Sequence, residues 1–562
     1  MNRIKPLIQQ FWLKLGRRFQ GSFYLYLAAL FTLVVLADGL VLNITAGLRQ
    51  TSFDLMIKNR LVVGKPDPDI VIVDINEASL AAMAKEYGRW PWPRQVMGEF
   101  LEQVEKQQPK AVIFDVLFSD PDVYNPDSDA YFNEVIGSTD NTFFPILRLD
   151  PSQDSLSQVY SAQIPGALRQ SGASDQGKPV AVVLPFMDAA LQGGRLGTHN
   201  IYPDIDGIAR RYPVQQLESG WLMPSLPTKV VDWLGVKTPK RETILLNWRG
   251  KPFTYKYTGF AETFFDLTSR DHQRPVDEFK GKIVIIGSTA AGLFDVKPTP
   301  IDRQFPGVEI MATAIDNLRH DDYLRVPEAR LFNIFLALLI IWSSAVALYR
   351  NVAAEKLNSL FGASQFLLVG ISYATINLVT TYINLTGPVL FGVVYFSIAR
   401  LYTLAARKAL EKTTVTYSRA STGELYAALL LLKSAGDNDT DGEKQAVAIR
   451  KKLGRSGVKN MSVEILKGNQ KGLWGLLEGM VAVSWTCPAN DTSAREAIRE
   501  EIKMVEKLAG EARLRENGTT MGKTWVFQEG LVGGGEKAAG GWTMLLGEAL
   551  QKWDKESPLN VH

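Results

Sequence analysis

The sequence is poor in the residues on which most enzymes and secreted domains rely. It holds one cysteine, Cys487, and four histidines in 562 residues. A single cysteine excludes an internal disulfide, so each folded part must be stable through an ordinary apolar core. The thiol itself reads as a small buried side chain. Beyond residue 406 the only histidine is the terminal His562, which excludes a phosphoaccepting histidine kinase output. There is no GxxxxGK[ST] loop, no glycine-rich kinase loop with HRD and DFG partners, and no cyclase metal-binding pair. His199, His272 and His320 have no local nucleophile beside them, so no hydrolytic triad is indicated. The net charge is only +3, and the C-terminal part shows no basic and aromatic face, which argues against nucleic acid as a partner.

Long apolar runs are what the sequence does have. SFYLYLAALFTLVVLADGLVLNITAGL at 22–48 follows an acid-free basic start with Arg3, Lys5, Lys14, Arg17 and Arg18. It is long enough to cross a bilayer and longer than a signal-peptide core. Three further apolar stretches lie near 331–349, 360–383 and 388–406. Four crossings put the basic start, Arg350 with Lys356, and Arg407 with Lys408 on one side, which the positive-inside rule makes the cytoplasm. The expected organisation is a cytoplasmic N-terminus (1–21), a membrane helix (22–48), a periplasmic domain (49–328), three membrane helices (329–406) and a cytoplasmic domain (407–562). Asp38 lies inside the first apolar run, where an ionisable side chain needs a protein or water neighbour. Asn377, Ser343 and Ser344 are candidate partners, and coupling between helices is a candidate role.

Between the first two apolar runs, strand-like and helix-like segments alternate. DIVIVDINE, AVIFDVLF and GKIVIIGSTAAGLFD read as buried strands, ASLAAMAKEYG and VMGEFLEQVEKQQ as helices, and PGVEIMATAIDNLRH as a helix starting at Pro306. KPVAVVLPF, RYPVQQLES and ETILLNWRG read as additional strands. This alternation predicts an α/β layered domain with a mainly parallel sheet. Ligands of such sheets sit outside the carboxyl ends of the strands. Asp74, Asp115, Ser288 and Thr289 lie at those ends, with Asp295 just beyond, although caps and turns use the same residue types.

Several blocks resemble the CHASE type-two sensory domain: FDLMIKNR, DPDIVIVDINEASL, GRWPWPR, PKAVIFDVLFSDPD, YPDIDGIARRYPV, NWRG and FKGKIVIIGSTAAGLFDVKPTPIDRQFPGVEIMATAIDNL. The resemblance covers about residues 50–325 in the family's order and continues into its three trailing membrane helices. It implies an extracytoplasmic sensor in a bacterial inner membrane that binds a small ligand or a periplasmic protein. The ligand-binding candidates are Asp74, Trp90, Trp92, Arg94, Asp115, Asp204, Asp206, Arg210, Ser288, Thr289 and Asp295. In GRWPWPR the two prolines exclude a helix and the two tryptophans supply apolar anchors, so this block also reads as a brace for a crossover. No metal is expected, because PDIDG, DPDVYNPDSDAYFNE and GDNDTDGEKQAVA each fail to complete a calcium loop; the last has Ala448 at the twelfth position. No cofactor is expected either.

After residue 406 the fourth helix continues as ARKALEKT. TTVTYSRA, KNMSVEILK, VAVSWTCPA and TWVFQEGL read as strands. GELYAALLLLKSA, GEKQAVAIRKKLG and DTSAREAIREEIKMVEKLAGEA read as helices, the last with Ser493 and Glu496 at capping-box spacing. GLVGGGEKAAGG at 530–541 reads as a loop before a short terminal helix. A small α/β domain results, with a ferredoxin-like two-layer arrangement as one option. The family's enzymatic outputs are absent, so the expected role is a non-enzymatic sensor or regulator whose cytoplasmic domain binds another protein. The alternative is a structural subunit of a homo-oligomeric membrane assembly. Membrane lipid and further copies of the chain are the other expected partners.

Overall fold

The computed structural model describes residues 23–293, 295–350, 352–414, 425–433, 461–466, 480–514, 525–532, 541–542, 544–550 and 552. The basic N-terminus, TTVTYSRA beyond Thr414, GEKQAVAIRKKLG, the Asp437–Asp439–Asp441 loop, most of the glycine run and His562 lie outside the described residues. The chain divides into two units. One comprises Asn43–Asn333 with Ala363–Gly387, and the other Met1–Leu42, Ile334–Gly362 and Pro388–His562.

The first unit is built on a sheet whose central strands are apolar and β-branched. β1 (Ile70–Asp74), β2 (Ala111–Phe114) and β7 (Ile283–Gly287) are buried at every position. Such continuous burial is characteristic of parallel strands covered on both faces. With β3 (Thr142–Arg148) and β6 (Lys256–Gly259) the order is β6–β1–β7–β2–β3, and every pair is parallel. At the far edge β3 also pairs with β5 (Leu196–Thr198) in parallel and with β4 (Val182–Val183) antiparallel. The sheet is therefore mainly parallel, and β7 inserts between β1 and β2.

Strand alternation sends side chains into two cores. Val71, Val73, Val112, Phe114, Val284 and Ile286 meet helices α3 (Arg94–Lys106) and α4 (Phe260–Thr268). Ile70, Ile72, Ile113, Ile283 and Ile285 meet α5 (Gly307–His320), in which every residue from Gly307 to Leu318 is buried. The β1–β2 crossover runs through α2 (Glu77–Tyr87) and α3, as the sequence pattern implies. RYPVQQLES and ETILLNWRG contribute only short strands outside this sheet, Arg211–Pro213 paired with Thr243–Leu245 and Gln215–Glu218 paired with Trp221–Pro224.

Four helices are long and apolar enough to cross a membrane: Phe23–Leu42, Arg330–Tyr349, Ala354–Leu378 and Thr386–Ala405, the last continuing to Thr414. In the second unit Ala28, Phe31 and Val35 pack with Ala337, Ile341, Tyr395 and Ala399. Asp38 is buried in a π-helical turn, Asp38–Leu42, that ends the first of these helices.

The same unit contains a four-stranded sheet of β8 (Leu425–Lys433), β9 (Met461–Leu466), β10 (Met480–Pro488) and β11 (Trp525–Val532). Its order is β9–β10–β8–β11 and all neighbours are antiparallel. Here one expectation is corrected, because GELYAALLLLKSA contains a strand and not a helix. β8 is central and apolar on both faces: Tyr426, Ala428 and Leu430 meet Ile498, Ile502 and Val505 of helix α6 (Thr492–Leu514), while Ala427, Leu429 and Leu431 meet Trp542, Leu545, Leu546 and Ala549. A run without alternation, rich in leucine and alanine, carries no signal that separates a buried strand from a helix. The N-terminus of α6 is held by Asp491, whose Oδ1 accepts the Ala494 N–H at 2.9 Å, in place of the expected Ser493.

Candidate functional site

Parallel pairing aligns the carboxyl ends of the central strands. Gly259 of β6, Asp74 of β1 and Gly287 of β7 are register partners, and the Asp115 N–H bonds to the Ile286 carbonyl, placing Asp115 beside Gly287. Two aspartates thus flank a glycine, about 10 Å apart at two strand spacings. The glycine is needed for close approach: a Cβ at Gly287 would stand 2.5 Å from Val308 Cγ2 and 3.4 Å from Asp115 Cβ. The first turn of α5 therefore rests directly on the sheet, between the two carboxylates.

The predicted strand-end residues divide into two groups. Asp74 is fully engaged, accepting the Thr289 N–H at 2.9 Å and the Thr289 hydroxyl at 2.6 Å, while Ser288 donates its hydroxyl to the Ile75 carbonyl at 2.8 Å. Burial raises the Asp74 pKa even against these bonds. This half of the row braces the GSTA turn.

Asp115 and Asp295 form the other half, with two residues that the sequence reading did not select. His199 Nδ1 lies 3.3 Å from Asp115 Oδ1. Asp295 accepts the Gly307 N–H through its main-chain carbonyl at 2.9 Å, and its carboxylate lies against the first turn of α5, where a Cβ at Gly307 would strike it. Burial, reinforced by the Asp115 charge and opposed by Lys297 and His199, pushes the Asp295 pKa up to about 6. Tyr212 is fully buried, its hydroxyl has no hydrogen-bond partner among the described residues, and burial together with the Asp115 and Asp295 charges holds its pKa well above the usual phenol value.

The remaining candidates lie elsewhere. Trp92 is buried and stacks on Phe260 at 5.2 Å, with Trp90 edge-on to it at 4.9 Å. Arg94 starts α3, with its guanidinium 5.2 Å from the Phe118 ring centroid. Asp204, Asp206 and Arg210 form one ionic cluster: the 2%-exposed Arg210 side chain donates to Asp204 at 2.8 Å, to Asp206 at 2.6 Å and to Asp54 at 2.6 Å. Burial would lower the Arg210 pKa, but its bonds to Asp206, Asp54 and Asp204 outweigh that and raise it. Arg210 is fully engaged by the three carboxylates, and the cluster ties the loop to helix α1 (Ala46–Lys58) through Asp54.

The opposite end of α5 carries a second ionic centre, which no local pattern announces. Arg249 binds the Asp316 carboxylate through two nitrogens at 2.7 and 2.9 Å and Asp322 at 2.9 Å. Burial alone would raise the Asp316 pKa, and the Arg249 bonds outweigh it and leave the carboxyl below its ordinary value. Asn317 and Asn247 exchange bonds at 2.7 and 3.2 Å, and the Arg60 guanidinium donates to Asn247 Oδ1 at 2.5 Å. Immediately after Arg60, the Leu61 and Val62 N–H groups bond to Asn377 Oδ1 of the third apolar helix at 2.8 and 3.1 Å. Asp67, Asp316 and His320 are the one triad of metal-ligating type whose donor atoms converge among the described residues. Arg319 and Arg249 already neutralise its two carboxylates.

This fold and site define a class: an α/β domain with an acidic strand-end site, carried between the first and second of four helices suited to a membrane. The chain belongs to the CHASE2 domain family, whose model matches residues 27–348. The match takes in most of the first apolar helix, the whole α/β domain and nearly all of the second apolar helix, so the chain carries a CHASE2 sensory domain. No curated protein and no solved structure matches it.

Proposed function

We propose that the chain is a membrane sensor or regulator whose outer domain receives a ligand at the Asp115–Asp295 end of the sheet and passes a shift of α5 to the membrane helices. The observation that carries this reading is α5 itself. It is one buried helix of 14 residues, about 21 Å long. Its first turn touches the strand-end site, and its last turn holds the Arg249–Asn247–Arg60 cluster that leads to Asn377. A ligand acts in this way only by binding one position of α5 better than another. The basic residues at the N-terminus, at Arg350 with Lys356 and at Arg407 with Lys408 support an orientation with both termini in the cytoplasm and the α/β domain in a bacterial periplasm. We read the C-terminal sheet, with strand order and directions suited to a ferredoxin-like layer, as a non-enzymatic interaction domain for a cytoplasmic protein.

The test is amide exchange on the full chain in lipid nanodiscs, comparing the parent with Gly307→Ala. The added Cβ displaces Asp295 or the first turn of α5. Faster exchange at Leu61 and Val62, whose N–H groups lie at the far end of the path, is expected. A change confined to residues around 295–308, with 61–62 unaltered, would sink the reading.

A further inference from the structure

The helix that follows the first apolar span carries apolar side chains on two sides. The run at 22–48 is not one continuous crossing, because the first apolar helix ends at Leu42 and Asn43 takes a left-handed conformation at φ 48°. The Ala46 N–H bonds back to the Asn43 carbonyl at 3.0 Å, and α1 starts from that turn. On one side of α1, Phe53 and Ile57 are buried in the same core as Ile376 and Tyr382, with the Phe53 and Tyr382 rings 5.1 Å apart. On the opposite side Leu48 and Leu55, two turns apart and so on one face, are more than half exposed. Thr51 between them makes no demand on water, since its hydroxyl donates to the Gly47 carbonyl at 3.0 Å. Two opposite faces of α1 are apolar, and the described residues cover one of them.

Both ends of α1 lead to membrane helices, and this identifies the medium on the open face. Its start follows the first apolar helix by one turn of chain. Just after its end, the Asn59 carbonyl accepts the Tyr373 hydroxyl at 2.6 Å, and the Leu61 and Val62 N–H groups bond to Asn377. Tyr373 and Asn377 belong to the last two turns of the third apolar helix, Ala354–Leu378. Leu61 itself is 82% exposed. The polar layer of a bilayer is roughly 5–8 Å deep on each side, so a helix held within it reaches the acyl chains with one face. Charge agrees with this placement. Asp54, the one acid of α1, is paired with Arg210, whereas Arg49 and Lys58 have no carboxylate partner among the described residues. An aliphatic strip flanked by cations suits a phospholipid surface, where acyl chains lie beneath phosphates. A second copy of the chain fits less well, because a stable self-contact needs roughly 20–30 residues a side and this strip offers three leucines beside like charges.

We propose that α1 lies in the headgroup layer of the leaflet facing the α/β domain, with Leu48, Leu55 and Leu61 against acyl chains and Arg49 and Lys58 at lipid phosphates. The domain is then seated on lipid and on the third apolar helix together. Phe53, Asp54 and Ile57 anchor α1 to the domain, and Arg60 follows it directly. A change in bilayer thickness or headgroup charge therefore acts on the Arg60–Asn247 bond from the membrane side. This holds whatever the strand-end site binds.

The experiment uses the full chain with Cys487→Ser in nanodiscs of phosphatidylethanolamine and phosphatidylglycerol. Leu48→Cys, Leu55→Cys and Tyr124→Cys are each labelled with a nitroxide. Tyr124 is 91% exposed in the loop after β2, at the strand-end side of the domain, and serves as the aqueous reference. Collision rates with oxygen and with a soluble nickel chelate report the depth of each label. Labels at 48 and 55 should lie about 5–10 Å into the boundary between headgroups and acyl chains, and the label at 124 in water. Nickel access at 48 and 55 equal to that at 124 would overturn the proposal. So would spin–spin broadening at 48 or 55 that vanishes on dilution with unlabelled chain, which shows a second copy in place of lipid. The parent chain provides a check without substitution. A phospholipid with a diazirine near the glycerol end of its acyl chain should label residues 46–63 on illumination and spare 120–134, and labelling restricted to the four apolar helices refutes the placement.

Discussion

The buried pair Arg249–Asp316 allows the sharpest test of what holds α5 in place. The two side chains are 3% and 1% exposed. Asp316 accepts from Arg249 twice, from the Tyr255 hydroxyl at 2.9 Å and from the Asp67 N–H at 3.0 Å. Replacing it by asparagine keeps the shape but leaves the guanidinium buried with one charged partner, Asp322, whose side chain is 30% exposed. Breaking a buried ion pair from one side costs about 3–5 kcal/mol, and the surviving Asp322 contact places Asp316→Asn near the lower end, about 3 kcal/mol. Removing both charges is a different perturbation. In Arg249→Met with Asp316→Leu no fully buried charge is left unpaired; the Tyr255 hydroxyl, the Asp67 N–H, the His320 ring and the 30%-exposed Asp322 each lose a partner, so about 2 kcal/mol is expected. The assay is amide exchange at Asn247, whose N–H bonds to Asn317 Oδ1 on α5 at 2.7 Å. Three kcal/mol corresponds to roughly 150-fold more frequent opening. The double variant should exchange more slowly than Asp316→Asn. If Asp316→Asn accelerates exchange by less than about fivefold, or if the double variant is the more labile, the ion pair is not what fixes this end of the helix.

Three further outcomes follow from other parts of the molecule. Gly287→Ala should destabilise the outer domain by about 1–3 kcal/mol, because its Cβ meets the Val308 side chain at 2.5 Å. Gly259→Ala in the same row meets nothing closer than Ser79 Oγ at 3.7 Å and should cost no more than about 1 kcal/mol, so equal melting temperatures for the two variants would contradict the close approach. Asp295 titrates near 6 in the folded chain, above an ordinary aspartate, so its stabilising contribution is complete below about pH 4 and is lost as pH rises through 6. Urea titrations of the parent against Asp295→Asn should show that dependence, about 3 kcal/mol, disappear in the variant, and a parallel pH profile would refute it. Cys487 is 4% exposed against α6, and burial raises its pKa. It should resist maleimide in the folded chain and react once the domain unfolds, whereas immediate labelling would show the β8–α6 core to be open.

The elements that could be read from the sequence are those whose code is local. β1 and β7 are short runs of isoleucine and valine, α3 repeats its apolar residues at helical spacing, and the four apolar helices are marked by length alone. β6 was missed because Lys256–Gly259 is a polar edge strand with one buried residue, and β8 was misread because a run apolar on both faces has no period. The candidate site was half legible. Asp74 and Asp115 follow directly from strands that end in the sequence where they end in space. His199 and Tyr212 stand 84 and 97 positions from Asp115, and nothing near either one indicates that partner. Arg249 and Asp316 are 67 positions apart, and Arg210 and Asp54 are 156. A buried charge declares that it needs a partner, but only the topology says which one.

That topology also bears on the proposed coupling, because it singles out α5 among the helices of the domain. Its residues from Gly307 to Leu318 are buried, so it cannot bend into free space, and close-packed cores respond to a local push by moving as blocks. Both ends are held by groups whose energy depends on position: the Asp295 carboxylate and the Gly287–Val308 contact at the first turn, and the Arg249–Asp316–Asn317 cluster at the last. A ligand at the strand-end site would change the contacts on which the first turn rests. It need favour one position of α5 by only about 1–3 kcal/mol to shift the populations at Arg60 and Asn377 by roughly 5- to 150-fold. The ionic centre at the far end works against small movements, because a bidentate pair tolerates little misalignment. That resistance suits two discrete positions better than a continuum. Weakening Arg249–Asp316 should therefore lower both the stability of the domain and the contrast between its two states, and a variant that lost only one of these would separate the structural role of the pair from its role in coupling.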